Sequence, residues 1–433
     1  MAGILKSLLP MTRLQLRLLA ILAAGVLTPG CTAINNVLGS EKRDVYKFDH
    51  EFSVADPAFR RSLDNFGTPM VGGNTATLLI NGDEIFPAML RDIRNARRSV
   101  NLESYIFQPD DAGRQFADAM IVAARRGVEV RLLVDAWGSK LRSIGGELKA
   151  AGVVVRRYRP LRLFSIYKVG KRTHRKILVV DGKVGYTGGL GIDERWLGDA
   201  RNPNEWRDTQ VRVTGPVVDQ LQAIFAEDWT YTTGEILAGD RFYPKHEPTG
   251  DIEAQAIKVS RGDASSLSKM LYYTAIQSAS RTIDIQNAYF LPDKQVREAL
   301  VNAVGRGVRV RVMVPGRHID LPLVRSASWL HYGELLRGGV KILEYLPTMM
   351  HNKVMVVDGV FSTIGSINFD ARSLNANAEE SLAFYSRPFA ANVEQMFDRD
   401  ERRCEQITYA EWNRRGIPKR LSELVSGIWE PYY

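Results

Sequence analysis

Two copies of one short pattern carry the chemistry this sequence can do. His174 and Lys176 stand two residues apart in THRKILVVDG (Thr173–Gly182), and His351 and Lys353 do the same in MHNKVMVVDG (Met350–Gly359). Side chains two apart on an extended strand share a face, so each pair sets an imidazole beside an ammonium at the head of an apolar strand. A single His-x-Lys at a strand end means little. Two of them, in register with a duplicated chain, describe one site holding two histidines and two lysines. A neutral imidazole attacks and an imidazolium donates a proton, so two histidines flanking one reacting atom can divide the roles of nucleophile and general acid. Imidazole, with an ordinary pKa of about 6.5, supplies either form near neutral pH. The lysines would bind a tetrahedral phosphate and stabilise the charge that develops on it, and two fixed cations repel a divalent metal. The constellation suits phosphodiester chemistry through a phosphohistidine, with no metal and no other cofactor.

The duplication that places the two patterns is visible elsewhere. AARRGVEVRLLVD (Ala123–Asp135) recurs as AVGRGVRVRVMVP (Ala303–Pro315), RSVNLESYIF (Arg98–Phe107) as RTIDIQNAYF (Arg281–Phe290), and ELKAAGVVVRRY (Glu147–Tyr158) as ELLRGGVKILEY (Glu334–Tyr345). The copies keep their order at offsets of 180, 183 and 187 residues, which describes a tandem duplication and not a solenoid. Within each copy, helix-period segments such as 85–97 and 117–125 alternate with strand-like runs such as 128–134. The Asp-Gly pairs at Asp181-Gly182 and Asp358-Gly359 predict a tight hairpin after each motif strand. The expected fold is α/β: two similar halves, with mixed sheets flanked by helices, packed face to face about a pseudo-twofold axis with one shared site.

Net charge of +9 favours anionic partners, whether phosphates, nucleic acid or acidic lipid. Cys31 and Cys404 are too few for a disulfide framework, and none of the six histidines makes a metal-ligand spacing. Near the N-terminus, Lys6, Arg13 and Arg17 precede the apolar run LLAILAAGVL and then Thr28-Pro29-Gly30-Cys31. That order describes an export signal too short to span a bilayer comfortably, and its ending resembles a bacterial lipoprotein signal in which Cys31 is lipidated, although Thr28 stands where an aliphatic residue is usual. A plain cleaved signal and an uncleaved anchor are the other readings, and all three send the chain to the bacterial cell envelope.

His-x-Lys, four residues, Asp, six residues, then Gly-Ser-x-Asn is the signature of the phospholipase D superfamily, and the chain resembles that family over nearly all of its length beyond residue 75. The second copy matches at His351, Lys353, Asp358, Gly365, Ser366 and Asn368. The first matches at His174, Lys176, Asp181 and Gly188, has Gly189 where Ser often stands, and departs at Gly191 where Asn is usual. The stretches GGLGIDERWLG (Gly188–Gly198), WRDTQVRVTGPVV (Trp206–Val218), NAYFLPD (Asn287–Asp293) and NFDARSLNANAE (Asn368–Glu379) look most similar to bacterial cardiolipin synthases.

The resemblance implies the phospholipase D fold, a catalytic set of His174, Lys176, Asp181, His351, Lys353 and Asp358, and phosphate contacts from Gly188, Gly189, Gly365, Ser366 and Asn368. It also offers Asp208 and Glu379 as the carboxylates that orient the histidines, while Asp181 and Asp358, at their turns, equally suit a structural part. The implied activity is phosphatidyl transfer from phosphatidylglycerol, with His174 as nucleophile and His351 as acid. The alternatives are hydrolysis to phosphatidic acid, a superfamily nuclease, and an inactive lipid-binding protein. Phospholipid and a membrane surface are the expected partners, and nucleic acid is not. The chain then divides into an export segment (1–31), a tether and N-terminal extension (32–74), a first half (75–245) and a second half ending in a helix (246–433).

The halves differ ahead of their histidines. His174 lies 22 positions after Gly152, whereas His351 lies 12 after Gly339, and the extra material RRYRPLRLFSIYKVGKR (Arg156–Arg172) has seven basic and no acidic residues among apolar ones. Arg159, Arg162, Phe164 and Lys168 are the expected lipid contacts there; a basic loop packed on the core and a nucleic-acid groove are the competing readings. At the C-terminus, Leu421, Leu424, Val425 and Ile428 recur at helical spacing, which predicts a helix packed on the core.

Overall fold

The computed structural model describes residues 46–49, 52–160, 172–259, 266–375 and 377–427. The export segment with Cys31, the loop residues Arg162, Phe164 and Lys168, and Ile428 lie outside the described residues. The chain divides into the units Met1–Lys47 and Phe48–Tyr433, and all the strands, helices and candidate site residues belong to the second.

The first half contains β1 (Val71–Ile80), β2 (Ser99–Ser104), β3 (Glu129–Asp135), β4 (Val154–Tyr158), β5 (Ile177–Val180), β6 (Val184–Gly188) and β7 (Thr209–Thr214). The second contains β8 (Ile252–Val259), β9 (Thr282–Asn287), β10 (Arg309–Pro315), β11 (Lys341–Tyr345), β12 (Lys353–Val357), β13 (Phe361–Gly365), β14 (Glu379–Tyr385) and β15 (Cys404–Ile407). In both, three parallel strands (β2-β3-β4 and β9-β10-β11) are joined through helices, and an antiparallel meander continues the sheet from β2 or β9. The crossover helices carry apolar residues at helical spacing. In Asn81–Asn95 these are Ile85, Phe86, Met89, Leu90 and Ile93, all buried, and Asp110 caps the helix Asp111–Arg125 by accepting from Gly113 N at 3.0 Å.

The expectation of two separate sheets needs one amendment. β1 and β8 pair antiparallel, so hydrogen bonding runs through all fifteen strands in the order β15-β11-β10-β9-β12-β13-β14-β8-β1-β7-β6-β5-β2-β3-β4. The seam joins corresponding edge strands of the two halves. The halves still meet face to face: Ile177, Val179 and Val211 share one core with Met313, Val354, Val356 and Ile364. Both sides of the sheet are covered, which is why the motif strands read as continuous apolar runs.

Residues before β1 belong structurally with the second half. Phe59, from the helix Pro57–Leu63, meets Phe361 edge-on at 5.5 Å, and Arg60 pairs with Glu253 at 2.7 Å. The predicted packing of the C-terminal stripe is overturned. In the helix Ile417–Gly427, Leu421, Leu424 and Val425 are 60%, 57% and 51% exposed, while Glu423 and Ser426 are buried. Glu423 turns inward because it pairs at 2.7 Å with Arg415, which itself lies 3.6 Å over the Trp412 ring.

The Asp-Gly hairpins form as expected, with positive φ at Asp181 (54°), Gly182 (64°), Asp358 (53°) and Gly359 (62°). Their carboxylates do more than permit the turn. Asp181 accepts from the backbone N–H groups of Arg97, Arg98 and Ser99 at 2.9, 2.7 and 3.0 Å, and Asp358 from Ser280, Arg281 and Thr282 at 2.8 Å each. Each acid therefore pins the start of β2 or β9. Asp181→Ala and Asp358→Ala should each lower unfolding stability by about 2 kcal/mol, because three charge-assisted bonds to backbone amides are lost. Thermal melts would show the loss, and turnover per folded molecule should remain near that of the unaltered protein.

Candidate active site

Each motif histidine sits just ahead of its strand, on a segment that pairs with the opposite half. Thr173 bridges Ala378 and Arg207 bridges Met350, both in parallel. His174 N donates to Ala378 O at 2.8 Å and Ala378 N to Arg172 O at 2.9 Å; Arg207 N donates to Met349 O at 2.9 Å and His351 N to Arg207 O at 2.7 Å. The residue after each bridging partner is a carboxylate, and so the acids cross over. Glu379 Oε2 lies 2.8 Å from His174 Nδ1, and Asp208 Oδ2 lies 2.9 Å from His351 Nδ1. A carboxylate at Nδ1 holds the proton there and leaves Nε2 as the reacting nitrogen. Lys176 Nζ and Lys353 Nζ each donate to the carbonyl of their own histidine at 2.6 Å, which keeps each ammonium beside its imidazole.

The residue between each histidine and lysine faces the other way and fixes the strand from behind. Arg175, fully buried, pairs with Asp228 at 3.0 Å. In the second half Asn352 occupies that place, and the corresponding buried acid, Asp400, is instead paired with Arg207 at 2.8 Å. Breaking either pair would leave an uncompensated buried charge.

The two halves hold their carboxylates with different donors. Ser366 Oγ donates to Glu379 Oε2 at 2.5 Å. In the first half the matching residue is Gly189, where a Cβ would overlap the Asp208 carboxylate, and Trp196 Nε1 donates to Asp208 Oδ2 at 2.7 Å instead. At Gly191 a Cβ would lie 3.0 Å from the Trp196 ring, so that departure follows from the indole that fills the space, whereas at Gly189 it is the Asp208 carboxylate that leaves no room. Trp196 also meets the His351 ring edge-on at 5.3 Å, with Trp206 at 5.5 Å, while Tyr105 meets His174 at 5.0 Å.

Burial dominates the electrostatics. It pushes the His174 imidazole well below its ordinary pKa, helped by the charges of Lys176 and Lys353, and pushes His351 down to about 4 despite the hydrogen bond to Asp208. Lys353 falls to about 7, through burial first, while Asp208 and the like charge of Lys176 act in opposite directions. Glu379 rises to about 7 by burial, against the pull of Lys176 and the Ser366 hydroxyl. Burial also raises Asp208, but His351, Lys353 and Trp196 together hold it below the usual carboxylate range. The free site thus has neutral histidines and a lysine poised to lose its proton. An anionic phosphodiester would restore the missing charge and lift His351 towards the protonated form that an acid needs.

Four members of the expected catalytic set, His174, Lys176, His351 and Lys353, are brought together with Asp208 and Glu379. Asp181 and Asp358 are not: a strand length away, their carboxylates are consumed by backbone amides. Gly188 and Gly365 are pressed against the neighbouring strand, where a Cβ at either would overlap it. Ser366 is turned to Glu379, whose carboxylate it positions, and Asn368 Nδ2 donates to Ser373 Oγ at 3.3 Å. Arg159, with φ of 47°, lies 5.6 Å over Tyr231. Trp196, Arg175 and Arg207 were not singled out from sequence, although the glycine at the Ser position was a signal that another donor must serve Asp208. Trp196→Phe should lower kcat on the order of tenfold to a hundredfold by loosening Asp208 and His351, with KM little changed. Ser366→Ala should do the same through His174, and steady-state kinetics would show both.

Comparison with known proteins places this geometry. The family model described as "Cardiolipin synthase, PLD-like domain" matches residues 89–229 and 272–401. A probable cardiolipin synthase of Bacillus subtilis is 36% identical over 360 residues, covering 81% of this chain and 71% of the relative. Cardiolipin synthase A of Pseudomonas putida is 36% identical over 368 residues, covering 83% and 76%. The phosphatidylserine synthase of Haemophilus influenzae has the same fold, with a TM-score of 0.65 over 85% of this chain and 99% of that one at 14% identity. The chain belongs to the cardiolipin synthase family of phospholipase D-like proteins and is an enzyme of the phospholipase D superfamily.

Proposed function

We propose that the protein is a phosphatidyltransferase that makes cardiolipin from phosphatidylglycerol. The observation that carries this reading is the crossed pair of carboxylates, which gives each histidine a fixed Nδ1 partner and leaves Nε2 for the chemistry in one site lined by two lysines, with Lys353 Nζ 3.1 Å from Nε2 of His351. His174 Nε2 attacks the phosphorus of one phosphatidylglycerol while His351 gives its proton to the departing glycerol oxygen. The P–O bond breaks as the P–N bond forms, and the lysines hold the charge on the non-bridging oxygens. A hydroxyl of a second phosphatidylglycerol then attacks the phosphohistidine, its proton passes to His351, and the P–N bond breaks to release cardiolipin. Water at that step would release phosphatidic acid instead.

The reading extends to location. The basic and apolar segment ending at Cys31 would carry the chain to the cell envelope, and the excess of basic residues suits the surface of an anionic membrane. No helix among the described residues is long and apolar enough to cross a membrane.

Purified protein incubated with phosphatidylglycerol vesicles and a metal chelator should release cardiolipin and glycerol in equal amounts. His174→Ala and His351→Ala should each lose at least ~10³-fold. Phosphatidic acid without cardiolipin would sink the transferase reading, and cleavage of DNA beside intact lipid would replace the substrate class. The pH dependence of kcat/KM should be a bell centred near 7. Below about 7 Glu379 gains a proton and loses its hold on His174 Nδ1, and above about 7 Lys353 loses the charge that binds phosphate. Lys353→Arg should remove the alkaline limb.

A further inference from the structure

We propose that Arg172 is the binding site for the phosphate of the acceptor alcohol, the second phosphate that a lipid-transfer site must hold. The inference rests on the phosphatidyltransferase reading.

Alternation along the chain puts Arg172 on the catalytic face. Thr173 and Arg175 turn to the buried side, where Thr173 Oγ donates to Glu103 Oε1 at 2.5 Å and Arg175 pairs with Asp228 at 3.0 Å. Arg172, His174 and Lys176 therefore share the opposite face. Residues two apart on an extended chain are separated by roughly 6.6 Å, a spacing of the same order as that between two phosphorus atoms bridged by one glycerol. A phosphate bound at Arg172 would leave the far hydroxyl of its glycerol at a phosphorus held by His174.

Arg172 is otherwise hard to explain. The residue is 4% exposed, yet its Nη2 makes no hydrogen bond among the described residues. A buried guanidinium with an idle donor is costly unless a ligand meets it. Its neighbour reaches solvent: Trp137, whose ring lies 5.5 Å from the Arg172 Cζ, is 60% exposed. The neighbouring acid, Asp135, is already engaged by the backbone N–H groups of Trp137, Gly138 and Thr173 at 2.8, 3.2 and 3.3 Å. The position matching Arg172 in the second half is Met349, fully buried among apolar side chains. At this position only the first half thus carries a cation, as expected if donor and acceptor approach from different halves.

In the transfer step the acceptor hydroxyl oxygen bonds to phosphorus, the P–N bond to His174 breaks with its electron pair returning to the imidazole, and the hydroxyl proton goes to His351. Arg172 holds only the phosphate that does not react. It is a specificity residue for the acceptor, and the donor half-reaction should not need it.

The test compares two acceptors on phosphatidylglycerol vesicles: phosphatidylglycerol itself, read as cardiolipin, and isotope-labelled free glycerol, read as label exchanged into the lipid. Arg172→Gln should lower cardiolipin formation at least ~tenfold, as loss of a charge-assisted phosphate contact implies, and leave glycerol exchange within about twofold of the unaltered protein. Equal loss of both reactions, or loss of neither, overturns the proposal. A second measurement needs no variant. Glycerol 1-phosphate and glycerol compete as acceptors for the unaltered protein, where a preference of at least ~tenfold for the phosphorylated alcohol is expected and no preference overturns the site. Failure of the unaltered protein in both cardiolipin formation and glycerol exchange would instead overturn the transferase reading, and this site with it.

Discussion

The carboxylate that orients each histidine comes from the opposite half of the chain, and the remaining structure serves to hold those two hydrogen bonds in place. Glu379 reaches His174 and Asp208 reaches His351 only because a backbone bridge, Thr173 to Ala378 on one side and Met350 to Arg207 on the other, docks each histidine segment beside the other half's acid. A shift of one residue in either bridge would turn the histidine to the wrong face. Register is secured from behind by Arg175 with Asp228 and by Arg207 with Asp400, where displacement would strand a charge in the core. The shared apolar layer between the sheets supplies the stiffness that such short polar contacts need.

Burying so many ionisable groups together gives the site a charge state that depends on its ligand. Burial first, and repulsion from the lysines second, make His174 and His351 favour their neutral forms and bring Lys353 down to about 7. A phosphodiester brings the missing negative charge. The same anion that is to be cleaved thereby helps to protonate the acid that cleaves it, which ties the start of chemistry to occupancy of the site.

The repeated His-x-Lys, the alternation of strands and helices and the Asp-Gly turns were legible because each is written in residues close together in sequence. The contacts that complete the site are not local. His351 meets Asp208 across 143 residues and His174 meets Glu379 across 205, and no periodic pattern records such a pairing, so only family resemblance pointed to those acids. Trp196 was hidden for a different reason: it performs through an indole N–H what the second half does with the Ser366 hydroxyl, and a change of donor type erases the motif while keeping the hydrogen bond. Asp181 and Asp358 mislead in the opposite sense, since a fixed place in a signature says nothing of which end of the strand does the work. The C-terminal stripe was misread because spacing reveals that a helix has an apolar face, but not whether that face is turned inward, and Glu423 took the inward position.

The antiparallel seam between β1 and β8 joins equivalent edges of the two halves, which is how two identical subunits would meet in an isologous dimer. Identical subunits must mutate in pairs, so every change on one side of such a site is copied to the other. Fusion of both copies into one polypeptide lifts that restriction. Trp196 can then face Ser366, and Arg172 can face Met349, across what would otherwise be a symmetric cleft. Covalent linkage thus permits broken symmetry, and with it a division of labour between two chemically similar substrates that no homodimer of one half could encode.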